Sequence, residues 1–488
     1  MRDEELAATV EESARRGLAR WGAPGMAVAV VQGGLVTLAE GFGVRRASSR
    51  TRVDADTRWQ LASCGKAFTA SALALLADRG RIDWDDRVME HLPDFRLADP
   101  RRTARVTVRD LLSHRTGLPG GDLLWASAQF DRAEILRRLR CLRPIHRLRE
   151  AFVYQNLMYV VAGEIVGAAS GEGYDAFVRR RLLDPLGMRS SLTNTSALTR
   201  ASNVADPHAL VGRRAIPVAR WEDPIGSGDG SILSTAGDMG RWLRFLLGEG
   251  TVGSRRLLRG PTFREMLRPH ITIRADRWEL GILRALGMRR PALAYGMGWF
   301  LMDLDGLRIA WHSGGIDGMS AEVAFVPDRG VGVAALTNAE GISLPQAVAL
   351  GAIDACLGRK GPDWIEFLHA LDARRKARAR RALRRKESAR PRARRPAAPL
   401  FAYAGRYEDP YHGTVVVELR AGRLRLRFGR AFMGPLVPWG RDAFRFRSLR
   451  HPGASPGWAL FSRDRSGRGT RLRLELEGAD PARFRREA

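Results

Sequence analysis

From Phe401 to the C-terminus, apolar and charged residues alternate almost strictly, as in Arg423-Leu424-Arg425-Leu426-Arg427-Phe428 and Leu472-Arg473-Leu474-Glu475-Leu476. In a strand this period sends every apolar side chain to one face, and a slip of one residue would turn the whole set to water. Glycines at 405, 413, 422, 440 and 469 cut the runs into short strands. The pattern predicts a small antiparallel barrel or sandwich with one apolar interior, over residues 401–488.

The stretch before it is of another kind. Between Arg374 and Arg395 there are thirteen Arg or Lys and one acid, Glu387, a net +12 out of the +28 of the whole chain. Leu371 to Glu387 has helix-forming composition, and Pro391, Pro396 and Pro399 then break any regular element, so 358–400 reads as a basic helix and linker. The remaining positive charge is scattered. No aromatic or glycine pattern accompanies the basic run, so a solvated tether is expected and no nucleic-acid partner. The competing reading is a non-catalytic binding protein that uses this run against nucleic acid or an anionic membrane.

Residues 1–357 have the length and apolar content for a large core. Leu6, Val10, Ala14 and Leu18 recur at helical spacing and Gly22, Pro24 and Gly25 end the helix. Met26–Val31 and Leu35–Ala39, split by Gly33-Gly34, read as a β-hairpin. Ile82 to about Leu210 is mostly helical, and strands return at Leu307–Trp311, Ala321–Val326 and Gly332–Leu336. Helices between two blocks of strands predict an α/β (α+β) fold, an antiparallel sheet flanked by helices.

Ser63 precedes Lys66 by three positions at the start of an apolar run, which puts both side chains on one helix face. The chain has four lysines, and Lys66 is alone among the first 359 residues. Arginine stays charged in proteins, whereas lysine can give up its proton. The pair fits a nucleophile with its base, and equally a helix-start serine with a solvated lysine. Tyr154-Gln155-Asn156 stands at a loop-to-helix junction, where polar groups can face a cleft or simply pack and cap. His312-Ser313-Gly314-Gly315, at a strand end, allows close approach of a substrate and a free backbone N–H, or a plain hairpin turn. Gly226 to Ser231 reads as cleft lining at most. His114, beside an apolar run and a tight turn, is assigned no chemistry.

Cys64, Cys141 and Cys356 lie far apart, with no metal-site or disulfide pattern, so neither a metal nor a cofactor is expected. The N-terminus is charged and amphipathic, and the longest apolar run, Ala67–Ala77, is too short to span a bilayer. A cytoplasmic protein without a membrane span is expected. Nothing in the sequence sets its oligomeric state.

Ser63-x-x-Lys66, Tyr154-x-Asn156 and His312-x-Gly314 follow in the order and rough spacing of the serine β-lactamase and penicillin-binding-protein superfamily. With Ala23-Pro24-Gly25-Met26, Leu111–Leu118 and Tyr295-Gly296-Met297-Gly298-Trp299, residues 5–357 resemble the class C β-lactamase-related serine hydrolases, which include D-aminopeptidases and carboxylesterases. Tyr403–Pro410 resembles the start of the lipocalin-like β-domain appended to some of them. The resemblance implies an acyl-enzyme hydrolase with Ser63, Lys66 and Tyr154 catalytic. It also implies that Asn156 hydrogen-bonds the substrate's amide or Lys66, that His312 orients the substrate or steers protons at the cleft edge, and that Gly314 and Gly315 meet the substrate, with Gly315 in the oxyanion hole. His312 stands where β-lactamases proper usually carry a lysine that holds a substrate carboxylate. A small-molecule or short-peptide ester or amide is therefore the expected substrate, with β-lactamase or D,D-peptidase activity as the alternative.

Overall fold

Leu6, Val10 and Ala14 do form the buried stripe of a helix, α1 (Asp3–Trp21). The structure is a computed structural model and describes residues 3–200, 202–221, 228–288, 291–389, 395–449, 456–476 and 480–487. The chain divides into two units. One comprises Met1–Phe95, Arg101–Gly117 and Ile145–Ala373, the other Arg96–Pro100, Leu118–Pro144 and Arg374–Ala488.

In the first unit the hairpin β1 (Gly25–Gln32) and β2 (Leu35–Gly43) opens an eight-stranded sheet. The other strands are β3 (Ile271–Ile273), β4 (Leu293–Tyr295), β5 (Phe300–Leu304), β6 (Leu307–Ile316), β7 (Met319–Val326) and β8 (Val331–Thr337). Their order is β2-β1-β8-β7-β6-β5-β4-β3, antiparallel throughout. β7 and β8 are buried at every residue because helices cover both faces. Val331, Val333 and Ala335 join the core that α1 shares with α6 (Leu344–Leu357). Gly332, between them, backs onto Leu243 of α4 (Ala236–Leu247) on the opposite face.

Helix α2 (Lys66–Ala77) is buried from Lys66 to Leu76, as an apolar helix without a polar face must be. It packs against α3 (Asn156–Ser170). Among the described residues no helix is long and apolar enough to cross a membrane.

Two details differ from the sequence-based expectation. His312–Gly315 lies within β6, which stays paired with β7 to Ile316↔Met319, so the hairpin turn comes later, at Asp317-Gly318. Glycines usually weaken a strand, but here the lack of a side chain at Gly314 lets β6 pass close to the Leu61 carbonyl. Helix α7 (Trp364–Ser388) runs unbroken through most of the basic stretch. It starts earlier than composition indicates, because Trp364, Ile365 and Leu368 anchor its first turns in the core. Residues 390–394 of the expected linker lie outside the described residues.

In the second unit, β9 (Gly405–Asp409), β10 (Gly413–Arg420), β11 (Arg423–Phe428), β12 (Phe432–Pro438), β13 (Ala443–Phe446), β14 (Gly457–Arg463), β15 (Gly469–Glu475) and β16 (Ala482–Arg486) form a closed barrel. Leu424, Leu426, Phe428, Leu472 and Leu474 fill its interior, and the arginines between them are exposed. Residues 118–144 group with this barrel. Leu123 enters its core, the Ser127 carbonyl accepts from Arg430 N at 3.0 Å, and Gln129 Oε1 accepts from Thr414 N at 3.1 Å.

Candidate active site

Ser63 sits in a short turn of 3-10 helix, Ala62–Gly65, that leads directly into α2. The turn is held by backbone on two sides. A methyl group added at Gly314 would lie 2.1 Å from the Leu61 carbonyl oxygen, and one at Gly230 would lie 2.9 Å from the Ala62 carbonyl carbon. No other residue fits at either place without moving the turn. Ala62 itself has φ +46°, a conformation that costs an L-residue about 1 kcal/mol or more and that such enclosure sustains.

Lys66, the first residue of α2, is fully buried. Its Nζ lies 3.1 Å from Ser63 Oγ, 2.7 Å from Asn156 Oδ1 and 2.8 Å from the Asp229 carbonyl oxygen. A solvated lysine beside a capping serine is thereby excluded. Asn156 begins α3, but its side chain faces Lys66 and Gln155 is the N-cap residue. Tyr154 is half-buried, with its ring centre 5.0 Å from Lys66 Nζ.

His114 is buried and fixes the loop that carries Tyr154. Its carbonyl accepts from Val153 N at 2.9 Å, its Nδ1 accepts from Gln155 N at 3.1 Å, and its ring lies 4.3 Å from that of Tyr154. Nδ1 is thus the acceptor nitrogen, and burial pushes the imidazole pKa well below its ordinary value. The same region is tied by Asp110, fully buried, whose carboxylate accepts from Arg115 Nε at 2.6 Å and Arg149 Nε at 2.9 Å. Asp110→Ala is expected to lower stability by about 3 kcal/mol, the lower end for a broken buried pair because Arg149 is partly exposed. Urea unfolding measures the loss, and kcat should fall with it as the Tyr154 loop loosens.

The histidine of the third motif behaves differently from the sequence-based expectation. The resemblance places His312 at the cleft edge, orienting the substrate or steering protons. Its ring is 1% exposed, and both nitrogens are engaged within the protein. Nδ1–H donates to the Ser313 carbonyl at 2.7 Å and Nε2 accepts from the Tyr295 hydroxyl at 2.9 Å. Burial, reinforced by the Lys66 charge, pushes the imidazole down to about 3, so the ring is neutral at physiological pH. Its carbonyl accepts from the Cys64 thiol at 3.1 Å, and burial raises the pKa of that thiol well above its usual value. Beyond Trp311, no strand among the described residues pairs with the edge of β6 that faces β5. Gly315 lies on this stretch, and a side chain there would meet nothing within 4 Å.

Residues 10–354 match the family described as Beta-lactamase. The chain belongs to the beta-lactamase family. Residues 389–487 match a second family, described as a domain of unknown function (DUF3471). Unguisins hydrolase ungD of Aspergillus violaceofuscus (strain CBS 115571) is 30% identical over 450 residues, 86% of this chain and 78% of that one. Penicillin-binding protein 4 of Amycolatopsis lactamdurans is 29% identical over 321 residues, 64% of this chain and 81% of its own. Among solved structures, the octameric penicillin-binding protein homologue from Pyrococcus abyssi superposes with a TM-score of 0.63 at 22% identity, covering 98% of this chain and 99% of that one. A D-stereospecific amidohydrolase from Streptomyces sp. gives a TM-score of 0.56 at 23% identity, covering 72% and 98%. These two share the fold.

In this beta-lactamase-family chain the structure brings Ser63, Lys66, Tyr154 and Asn156 together, and it sets Gly314 against the Ser63 turn. Two contributors escape a reading of the sequence. The Asp229 carbonyl holds Lys66, yet a backbone group leaves no residue signature beyond the glycines on either side of it; Gly226 and Ser227 of that stretch lie outside the described residues. Tyr295, within Tyr295-Gly296-Met297-Gly298-Trp299, donates its hydroxyl to His312 Nε2 and holds the ring in place.

Proposed function

We propose that this beta-lactamase-family hydrolase cleaves small ester or amide substrates through an acyl-enzyme on Ser63. The observation that carries the reading is the fully buried Lys66 with its Nζ within hydrogen-bond distance of Ser63 Oγ. As an ammonium, Lys66 has three N–H donors for Ser63, Asn156 and the Asp229 carbonyl. With one proton gone, two donors still serve Asn156 and Asp229, and the lone pair faces the Ser63 hydroxyl. The same geometry therefore supports both the resting state and the base.

Ser63 Oγ attacks the substrate carbonyl, and its proton passes to Lys66 with the Tyr154 phenol sharing the relay. The backbone N–H groups of Ser63 and Gly315 receive the oxyanion, for which the unpaired edge of β6 leaves room. The relay returns the proton to the leaving group, and water then cleaves the acyl-enzyme by the reverse sequence. Asn156 keeps Lys66 aimed at Ser63. His312, on the same face of β6 as Gly314, holds the strand through Ser313 and Tyr295.

A neutral, buried His312 supplies no cation for a substrate carboxylate, which favours esters and amides over penicillins. The relatives named as an unguisins hydrolase and a D-stereospecific amidohydrolase support the same direction. A panel of p-nitrophenyl esters, D- and L-amino-acid amides and nitrocefin tests it. An ester or amide should be turned over at least about tenfold faster than nitrocefin, the scale of one lost charged contact. Faster turnover of nitrocefin, or equal rates in wild type and Ser63→Ala, would overturn the reading.

A further inference from the structure

Because Gly314 faces the Leu61 carbonyl, its neighbours Trp311 and Ser313 on β6 face the opposite side of the sheet. On that side lies a cleft of about 680 Å³, open mouth included, that the proposed chemistry does not use. Trp278, Phe300, Met302 and Trp311 supply much of its apolar wall, and the small Ala324 and Ala349 leave it unfilled. Glu322, paired across the strands with Ser313 on one side and Ala335 on the other, lines it and is 3% exposed.

The charge balance of this cleft is unusual for the chain. There are 81 Lys and Arg in the sequence, yet no basic side chain is among the described residues that line it. The Glu322 carboxyl is hydrogen-bonded to Ser313, and burial pushes its pKa up to about 8. The other acid of the wall, Glu279, is already committed, accepting from Asp276 N at 2.7 Å to cap helix α5 (Arg277–Ala285). Glu322 is thus a buried acid in an apolar cleft with no cation among the described lining residues.

We propose that this cleft binds a small organic cation, an ammonium on an apolar or aromatic body, with the ammonium on Glu322 and the body among Trp278, Phe300 and Trp311. An anion would face the carboxyl without compensation, and a neutral ligand would gain only from the apolar wall. A hard metal cation needs several oxygen ligands, and among the described lining residues Glu322 is the one carboxyl not engaged in capping a helix. An alkylammonium needs one counter-charge and gains from aromatic neighbours. On binding, the Glu322 proton leaves to solvent and the carboxylate pairs with the ammonium.

Isothermal titration calorimetry of the full chain at pH 7 with phenethylamine, phenethyl alcohol and 3-phenylpropanoate tests this. The amine should bind at least about tenfold more tightly than the alcohol, and the anion more weakly than either. Glu322→Gln, which puts a neutral amide in place of a protonated carboxyl of the same shape, should erase the preference for the amine. Ala349→Trp should fill the cleft and abolish binding, whereas Ser63→Ala should retain it. Equal affinity for amine and alcohol would overturn the proposal, as would a preference that survives Glu322→Gln or binding that is lost in Ser63→Ala. The three-ligand series on the unmodified chain decides the matter even if a variant fails to fold.

Discussion

Lys66→Arg is expected to lower kcat by about a thousandfold, within the range that a positioned acid–base group contributes. Lys66 is fully buried, and its three acceptors surround a single nitrogen at 2.7 to 3.1 Å. A guanidinium is planar and larger, so it cannot direct donors to Ser63, Asn156 and the Asp229 carbonyl from one point. It also keeps its charge and has no lone pair for the Ser63 proton. In the proposed mechanism the substrate lies along the β6 edge, which Lys66 does not form, so KM should change little while kcat collapses. Steady-state kinetics on a p-nitrophenyl ester separates the two. A variant that keeps more than a few per cent of turnover would remove Lys66 from proton transfer.

The second large effect comes from a single methyl group. Gly314→Ala would place Cβ 2.1 Å from the Leu61 carbonyl oxygen, so β6 and the Ser63 turn must separate. Overpacking of this kind costs about 1–3 kcal/mol, and a shift near 1 Å between reacting groups is enough for about a hundredfold loss in kcat. The adjacent Gly315→Ala meets nothing within 4 Å, so its melting temperature should stay near that of wild type. A large fall in melting temperature for Gly315→Ala, or none for Gly314→Ala, would show that β6 approaches the turn differently.

These two positions also show what can be read from a sequence. The meeting of Ser63 and Lys66 follows from helical spacing, and the barrel interior follows from a period of two, because both depend on local geometry that the residue pattern reports directly. Lys66 stands out for a chemical reason, as a lone lysine among arginines. The orientation of His312 is not local. It depends on Tyr295 arriving from another strand and on burial, so the sequence shows the residue without showing that its ring faces inward. The Asp229 carbonyl carries no side-chain identity, and the grouping of residues 118–144 with the barrel rests on contacts to residues nearly three hundred positions away. Strand β6 runs through Gly314-Gly315 because the requirement for close packing against Leu61 outweighs the weak strand propensity of glycine.

Mass spectrometry of the full chain after treatment with a fluorophosphonate, which phosphonylates a nucleophilic serine with loss of fluoride, tests Ser63 as the nucleophile most directly. One adduct is expected on the peptide that carries Ser63, absent in Ser63→Ala and much slower to form in Lys66→Arg. No adduct on that peptide, together with equal ester hydrolysis by wild type and Ser63→Ala, would contradict a nucleophilic Ser63.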